Sequence, residues 1–258
     1  GTDGGVLFNI GAFAWVFDLD DTTRIRCSGP ADGNTPDIDP KRAELYGILS
    51  LLTFLRLLIE YYSPVIADSL KLRLHCDDKN TVNEIAGFRD MQHYDSFATT
   101  KRCCANYDVI DEILMCLSQS PLKISIVYIK GHQDSDTPFE ELSTTAQLNC
   151  IADEICSQQL QRFANAPGNF NNPGHFPSHQ CSVLHNHRRI TGPLQKRLRT
   201  ICATPAIEKY WQHKFKWNQG DISNLDRPAF SRVYLSLPKA DQRRVSQFRC
   251  DWLPVNKR

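Results

Sequence analysis

The chain predicts an α/β fold with a five-stranded mixed sheet flanked by helices, followed by a basic, partly helical extension. Two strand-like runs, "GAFAWVFDLDD" (11–21) and "TRIRCSG" (23–29), follow one another across a tight Asp-rich turn. Helix-spaced segments then alternate with single strands as far as residue 164. A strand pair followed by such alternation implies a sheet with an antiparallel and a parallel part. At 258 residues, 41% hydrophobic and 23% charged, the chain can bury the core this architecture needs.

"TDGG" opens the chain with Asp3 on a first strand, expected to be truncated at its amino end as in a fragment of a longer polyprotein; the glycines permit a sharp turn. "GPADGNTPDIDP" (29–40) is a loop by its turn chemistry. A long helix is predicted from Pro40 or Lys41 to Tyr61, because proline favours the first helical turn. Its apolar run, "LYGILSLLTFLRLLIEYY" (45–62), is broken by Arg56 and Glu60, which marks a buried helix rather than a membrane span. In "LRLHCDDK" (72–79), Leu72, Leu74 and Cys76 alternate with Arg73, His75 and Asp77, the pattern of a half-buried strand over 71–77. Asp78 or Asn80 caps the short helix expected near 81–87. A polar stretch to about Asn106 precedes a helix in "YDVIDEILMCLSQS" (107–120), a β-branched strand in "KISIVYIKG" (123–131) and a helix in "LSTTAQLNCIADEICSQQLQRFA" (142–164). "NAPGNFNNPGHFPSH" (165–179) is a linker by composition.

No stretch has the length and apolarity of a bilayer span, and no charged n-region with an apolar h-region opens the chain. The ten cysteines are scattered, without C-x-x-C, and are expected to be reduced thiols of an intracellular protein of the cytoplasm or nucleus. Net charge is +1, but it is divided unevenly. Residues 1–164 hold 14 Lys and Arg against 24 Asp and Glu, net −10, and residues 165–258 hold 16 against 5, net +11. A basic segment is an electrostatic footprint for nucleic acid, or a face that docks on the acidic domain.

Four carboxylates fall where strands end or helices face them: Asp3, Glu44 in the first turn of the long helix, Asp77 at the end of the central strand, and Asp153 in "NCIADEI". Sites in open α/β sheets gather at the carboxyl ends of strands, where Asp3 and Asp77 meet if their strands are parallel neighbours. Clustered carboxylates need a cation to offset repulsion, and hard oxygen ligands suit Mg²⁺. Two such ions can stabilise the attacking and leaving oxygens of an in-line phosphoryl displacement.

"TDGG", "RAELYGIL", "LHCDDKNTV" and "YIKGHQD…AQLNCIADEI" together resemble the type 1 ribonuclease H domain, in the variant found in non-LTR-like retrotransposon reverse-transcriptase polyproteins. The resemblance covers about residues 1–164; "YWQHKFKW" and "RCDWLP" are more weakly similar to the segment that follows this domain in such elements. It implies an endonuclease that hydrolyses the RNA strand of RNA–DNA hybrids with two Mg²⁺ ions (Mn²⁺ substituting), and a reverse-transcriptase polymerase domain in the same polyprotein as partner. By the same resemblance Asp3, Glu44, Asp77 and Asp153 are the metal-binding carboxylates, and His132 is the histidine of a mobile loop that helps proton transfer or product release. Asn149 matches a substrate-contacting position, and Lys41, Arg42 and Lys130 are expected to bind substrate. Asp78 falls where a small polar residue is common, which assigns it to capping.

Two rival classes share this fold: a degenerate module that only binds nucleic acid, and a DNA transposase or integrase. The full set of carboxylates with His132 favours the hydrolase. His175, His179, Cys181, His185 and His187 offer zinc-ligand types at spacings that match no zinc finger. Trp211 and Trp217 among Lys214 and Lys216 are either base-stacking groups or aromatics of an amphipathic helix.

Overall fold

The structure, a computed structural model, describes residues 1–8, 10–18, 24–32, 38–62, 71–90, 105–165, 184–185, 188–190, 194–224 and 236–242. Two compact units are present, Gly1–Leu198 and Arg199–Arg258. The expected linker falls outside the described residues from 166 onward, as does the zinc-type stretch up to Cys181.

The first unit contains a five-stranded sheet: β1 (Thr2–Leu7), β2 (Ile10–Asp18), β3 (Arg24–Ala31), β4 (Lys71–Cys76) and β5 (Lys123–Tyr128). The order is β3-β2-β1-β4-β5, with β1, β2 and β3 antiparallel and β4 parallel to both β1 and β5. The mixed sheet with its antiparallel part is therefore as the sequence predicts. β1 and β4 share one register pair, Thr2 with Cys76, reinforced by the Thr2 hydroxyl donating to the His75 carbonyl at 3.2 Å.

Both faces of the sheet are covered. The helices are α1 (Pro40–Tyr62), α2 (Lys79–Asp90), α3 (Tyr107–Gln119) and α4 (Thr144–Asn165). On β2, Phe13 and Trp15 point into the main core with α1, where the Trp15 indole donates to Ser50 Oγ at 3.0 Å. Ala12, Ala14 and Val16 point the other way, onto Cys156, Leu148 and Ala152 of α4. A strand buried on both faces reads as a continuous apolar run, which is why "GAFAWVF" lacks alternation. Among the described residues no helix is long and apolar enough to cross a membrane.

The expectation that the glycines of "TDGG" form a turn is overturned. Gly4 and Gly5 lie within β1, which runs onward from Asp3, and they are small because helices press on them. A Cβ on Gly4 would stand 2.2 Å from the Ala43 carbonyl carbon and the Glu44 nitrogen.

The α1 amino terminus is fixed by Asp39, whose carboxylate accepts from the Arg42 backbone nitrogen at 2.7 Å, with Pro40 as first helical residue. Glu44 thus lies just beyond the first turn. Arg42, expected to bind substrate, is instead a buried structural cation with no exposed surface. Its guanidinium makes two bonds to the Asp108 carboxylate at 2.9 Å and donates to Asn106 Oδ1 and the Asp32 carbonyl. Every donor it spends there is lost to a phosphate, so the substrate-binding assignment is withdrawn.

The helix α2 starts at Lys79, two residues before the expected Thr81, because Asp78 caps it. One carboxylate oxygen of Asp78 accepts from the Asn80 nitrogen at 2.9 Å; the other accepts from the Thr81 nitrogen and hydroxyl at 3.2 and 2.6 Å. Asp78→Ala should lower stability by about 1 kcal/mol, while Asp78→Asn, which keeps a capping oxygen, should cost only a few tenths; thermal denaturation distinguishes them. Equal losses would show that the cap is not the source.

In the second unit, helix α5 (Leu194–Phe215) begins in the first unit's last residues, and a short helix α6 (Gln219–Ser223) follows. The minimal hairpin β6 (Leu184–His185) and β7 (Arg188–Arg189) precedes them.

Candidate metal centre

Four elements each deliver one carboxylate to an open cleft of about 550 Å³. Asp3 comes from the start of β1, Glu44 from α1, Asp77 from the residue after β4, and Asp153 from α4. The parallel pairing of β1 with β4 brings Asp3 and Asp77 together, as expected, but through the beginning of one strand and the end of the other. Lys130, His132 and Asp78 line the same cleft.

Asp3 is 8% exposed and Glu44 6%. Burial, then the charges of Asp77 and Asp153, push the Asp3 carboxyl up to about 7. Burial, then Asp3 and Asp77, push Glu44 well above the usual carboxylate range. Burial also raises Asp153, with Asp77 and Asp134 adding to the effect and His132 opposing it. Among the described residues no basic side chain forms an ion pair with Asp3, Glu44 or Asp77. Carboxylates held this close without a counter-charge favour either protons or a hard divalent cation.

The donor set fits such a cation. The tightest group of potential ligand atoms joins Glu44, Cys76 and Asp77, all within 4.8 Å of one another, with Asp3 and Asp153 on the same cleft. Cys76 is not a hard ligand. Burial and then Glu44 push its thiol upward, and it donates to Glu44 Oε2 at 3.7 Å. The oxygen atoms of the four carboxylates are therefore the groups that could hold the ion.

The outer contacts are specific. Asn149 Nδ2 donates to Asp77 Oδ2 at 3.2 Å, one helical turn before Asp153. At 1% exposure Asn149 touches Asp77 rather than the cleft, so the expected substrate contact is corrected to support of a carboxylate. His132 Nδ1 stands 3.4 Å from Asp153 Oδ2, on a well-exposed imidazole. His132 adopts a left-handed backbone, φ 50° and ψ 38°, and Gly131 before it has no room for a side chain. A Cβ there would lie 2.5 Å from Asp77 Oδ2. Lys130 is exposed at the rim and pairs with Asp136 at 3.3 Å. Lys41 does not line the cleft; its ammonium pairs with Glu84 of α2.

Sequence reasoning missed Gly131, Cys76 and Cys156 as parts of the site. For Gly131 the signal was present, a glycine directly before the loop histidine. For the cysteines there was none, since a thiol beside a buried carboxylate looks like any core thiol.

No family model matches the chain, and no curated protein does. Among solved structures, the solution structure of the RNase H domain of PFV matches with 16% identity and a TM-score of 0.44, over 62% of this chain and 92% of that domain. The prototype foamy virus protease–reverse transcriptase matches at the same identity and TM-score, over 62% of this chain. There the match spans 20% of the longer protein's length.

Proposed function

We propose that residues 1–164 form a divalent-metal-dependent endonuclease that hydrolyses the RNA strand of RNA–DNA hybrids, as part of a retroelement polyprotein that also carries a reverse-transcriptase polymerase. The observation that carries this reading is the convergence of Asp3, Glu44, Asp77 and Asp153 on one open cleft, with His132 beside Asp153.

Asp3, Glu44, Asp77 and Asp153 would hold two Mg²⁺ ions. Bound there, such ions supply Lewis-acid stabilisation of the attacking and leaving oxygens of a phosphodiester, giving 5′-phosphate and 3′-hydroxyl products. Asn149 fixes the Asp77 carboxylate by donating to one of its oxygens. Gly131 lets the histidine loop pass against Asp77. The exposed His132 imidazole accepts or returns a proton at the reacting phosphate. Lys130 at the rim contributes charge to the phosphate backbone. The net charge of −10 over residues 1–164 predicts weak hybrid binding by this part alone, since phosphate neutralisation dominates nucleic-acid affinity.

The test is cleavage of an end-labelled RNA–DNA hybrid in Mg²⁺. Cleavage confined to the RNA strand is expected, abolished by EDTA and reduced by at least about 10²–10³-fold in Asp77→Asn, the size seen when one electrostatic group leaves a catalytic site. A folded chain that binds the hybrid without cutting it would support the degenerate binding module. Cutting of DNA duplex instead would support the transposase class.

A further inference from the structure

The carboxyl-terminal turn of α5 builds an aromatic and basic surface that the cleft chemistry does not use. Residues 209–217, "KYWQHKFKW", contain three lysines, four aromatic rings and no carboxylate. Lys216 has left-handed backbone, φ 57°, which ends the helix and turns the chain back. The reversal lays Trp217 against Phe215, centroids 5.0 Å apart and planes tilted by 31°, and edge-on to Trp211 at 6.2 Å. A reciprocal cap holds the turn: Asn218 Oδ1 accepts from the Asp221 nitrogen at 2.9 Å and the Asp221 carboxylate accepts from the Asn218 nitrogen at 2.8 Å.

The lysines are arranged around these rings. Lys214 Nζ lies 5.4 Å from the Tyr210 ring centre and 5.5 Å from that of Phe215, and donates to the Tyr210 hydroxyl at 2.9 Å. Tyr210 and Phe215 remain 38% and 37% exposed, while Lys209, Lys216 and His213 stand in solvent. A fixed platform of aromatic faces edged by cations, in a segment of net charge +11, matches a polyanion that carries flat rings.

We propose that this surface binds single-stranded nucleic acid, with unpaired bases stacking on Phe215 and Trp217 and the adjoining phosphates meeting Lys214 and Lys216. Single strands fit better than a duplex because bases already stacked within a helix have no face to offer these rings. An acidic protein segment could meet the lysines but would leave the aromatic faces without a partner. The proposal is independent of the cleft reading, since it concerns binding and not cleavage.

The test uses the full 258-residue chain in EDTA, with fluorescence anisotropy of a labelled oligo(dT) of about 20 nucleotides over a salt series. Phe215→Leu should weaken binding about tenfold, the lower part of the range for loss of one stacked base. Lys214→Gln with Lys216→Asn, in which asparagine tolerates the left-handed backbone, should reduce the salt slope by roughly 0.7 per lysine. Asp77→Asn should bind as the wild type does, which separates this site from the cleft. Circular dichroism checks that each variant is folded. The proposal is overturned if the folded variants hold the oligonucleotide as tightly as wild type, or if the wild-type chain does not bind it. It is overturned too if an RNA–DNA duplex is held equally well with no effect of Phe215→Leu, because binding would then be backbone electrostatics alone.

Discussion

Gly4→Ala is expected to destabilise the first unit by more than about 4 kcal/mol, whereas Gly5→Ala, one residue on, is expected to cost far less. Both glycines lie in β1 with helices packed over them, one on each face of the sheet. At Gly4 the new methyl would meet the Ala43 carbonyl carbon and the Glu44 nitrogen at 2.2 Å, which are backbone atoms held inside a 23-residue helix. Relief requires α1 to lift from the sheet, and α1 carries the main core residues Leu45, Ile48, Leu49, Leu52 and Leu55. Overpacking of a core typically costs about 1–3 kcal/mol, and here the obstacle is a whole element, so the loss should exceed about 4 kcal/mol against a total stability of about 5–15. At Gly5 the nearest atom is the Leu160 Cδ1 methyl at 2.9 Å, the far end of a side chain that can change rotamer. That substitution should cost no more than about 1–2 kcal/mol, offset in part by the lower entropy of the unfolded chain. Urea denaturation followed by circular dichroism measures both. A cooperative transition of normal midpoint in Gly4→Ala would contradict the packing described for β1 and α1.

Asp3→Asn is expected to stabilise the metal-free protein at alkaline pH while removing its response to divalent cations. The Asp3 carboxyl is pushed up from 3.8 to about 7 in the folded state, by burial first and by Asp77 and Asp153 next. Below about pH 4 the group is protonated in both states and contributes nothing. As pH rises from there to about 7 the unfolded chain gives up its proton while the folded chain keeps it, so stability falls, by about 1.4 kcal/mol per pH unit at most. Above pH 7 the loss is complete. Asparagine carries no charge and escapes this loss, which should amount to about 2–4 kcal/mol at pH 8. Melting in EDTA should therefore be several degrees higher for the variant at pH 8 and equal to wild type at pH 4. On the reading proposed above, adding Mg²⁺ raises the wild-type melting temperature by ligand linkage and leaves the variant where it was. A wild type whose metal-free stability does not fall between pH 4 and 7 would show that Asp3 titrates as an ordinary carboxyl.

Much of the architecture was legible from local pattern. Pro40 marked the start of α1, the strand in "KISIVYIKG" followed from its β-branched residues, and the helix predicted over 142–164 followed from its apolar spacing, though it begins at Thr144. The four carboxylates were legible as a group because each sat where a strand begins or ends or on a helix facing that point, and parallel β1 and β4 bring two of them together. What was not legible depended on partners far along the chain. Arg42 resembles a surface cation until Asp108, 66 residues later, is seen to take both its forks. Gly4 and Gly5 resemble a turn until helices are placed over them. Asn149 shows one face of α4 to Asp77, and whether that face is wet is decided by packing, not by the spacing of Asn149 from Asp153.

The pairing of β1 with β4 gives the candidate metal centre a mechanical setting. β1 of the antiparallel strands and β4 of the parallel ones are stitched at Thr2 and Cys76. Asp3 belongs to one half and Asp77 to the other, with each residue next to the stitch. Anything gripping both carboxylates therefore acts as a clasp on the seam. On the reading proposed above, an ion held by both carboxylates would bridge the two halves of the sheet at this point, adding to the packing of α1 across them.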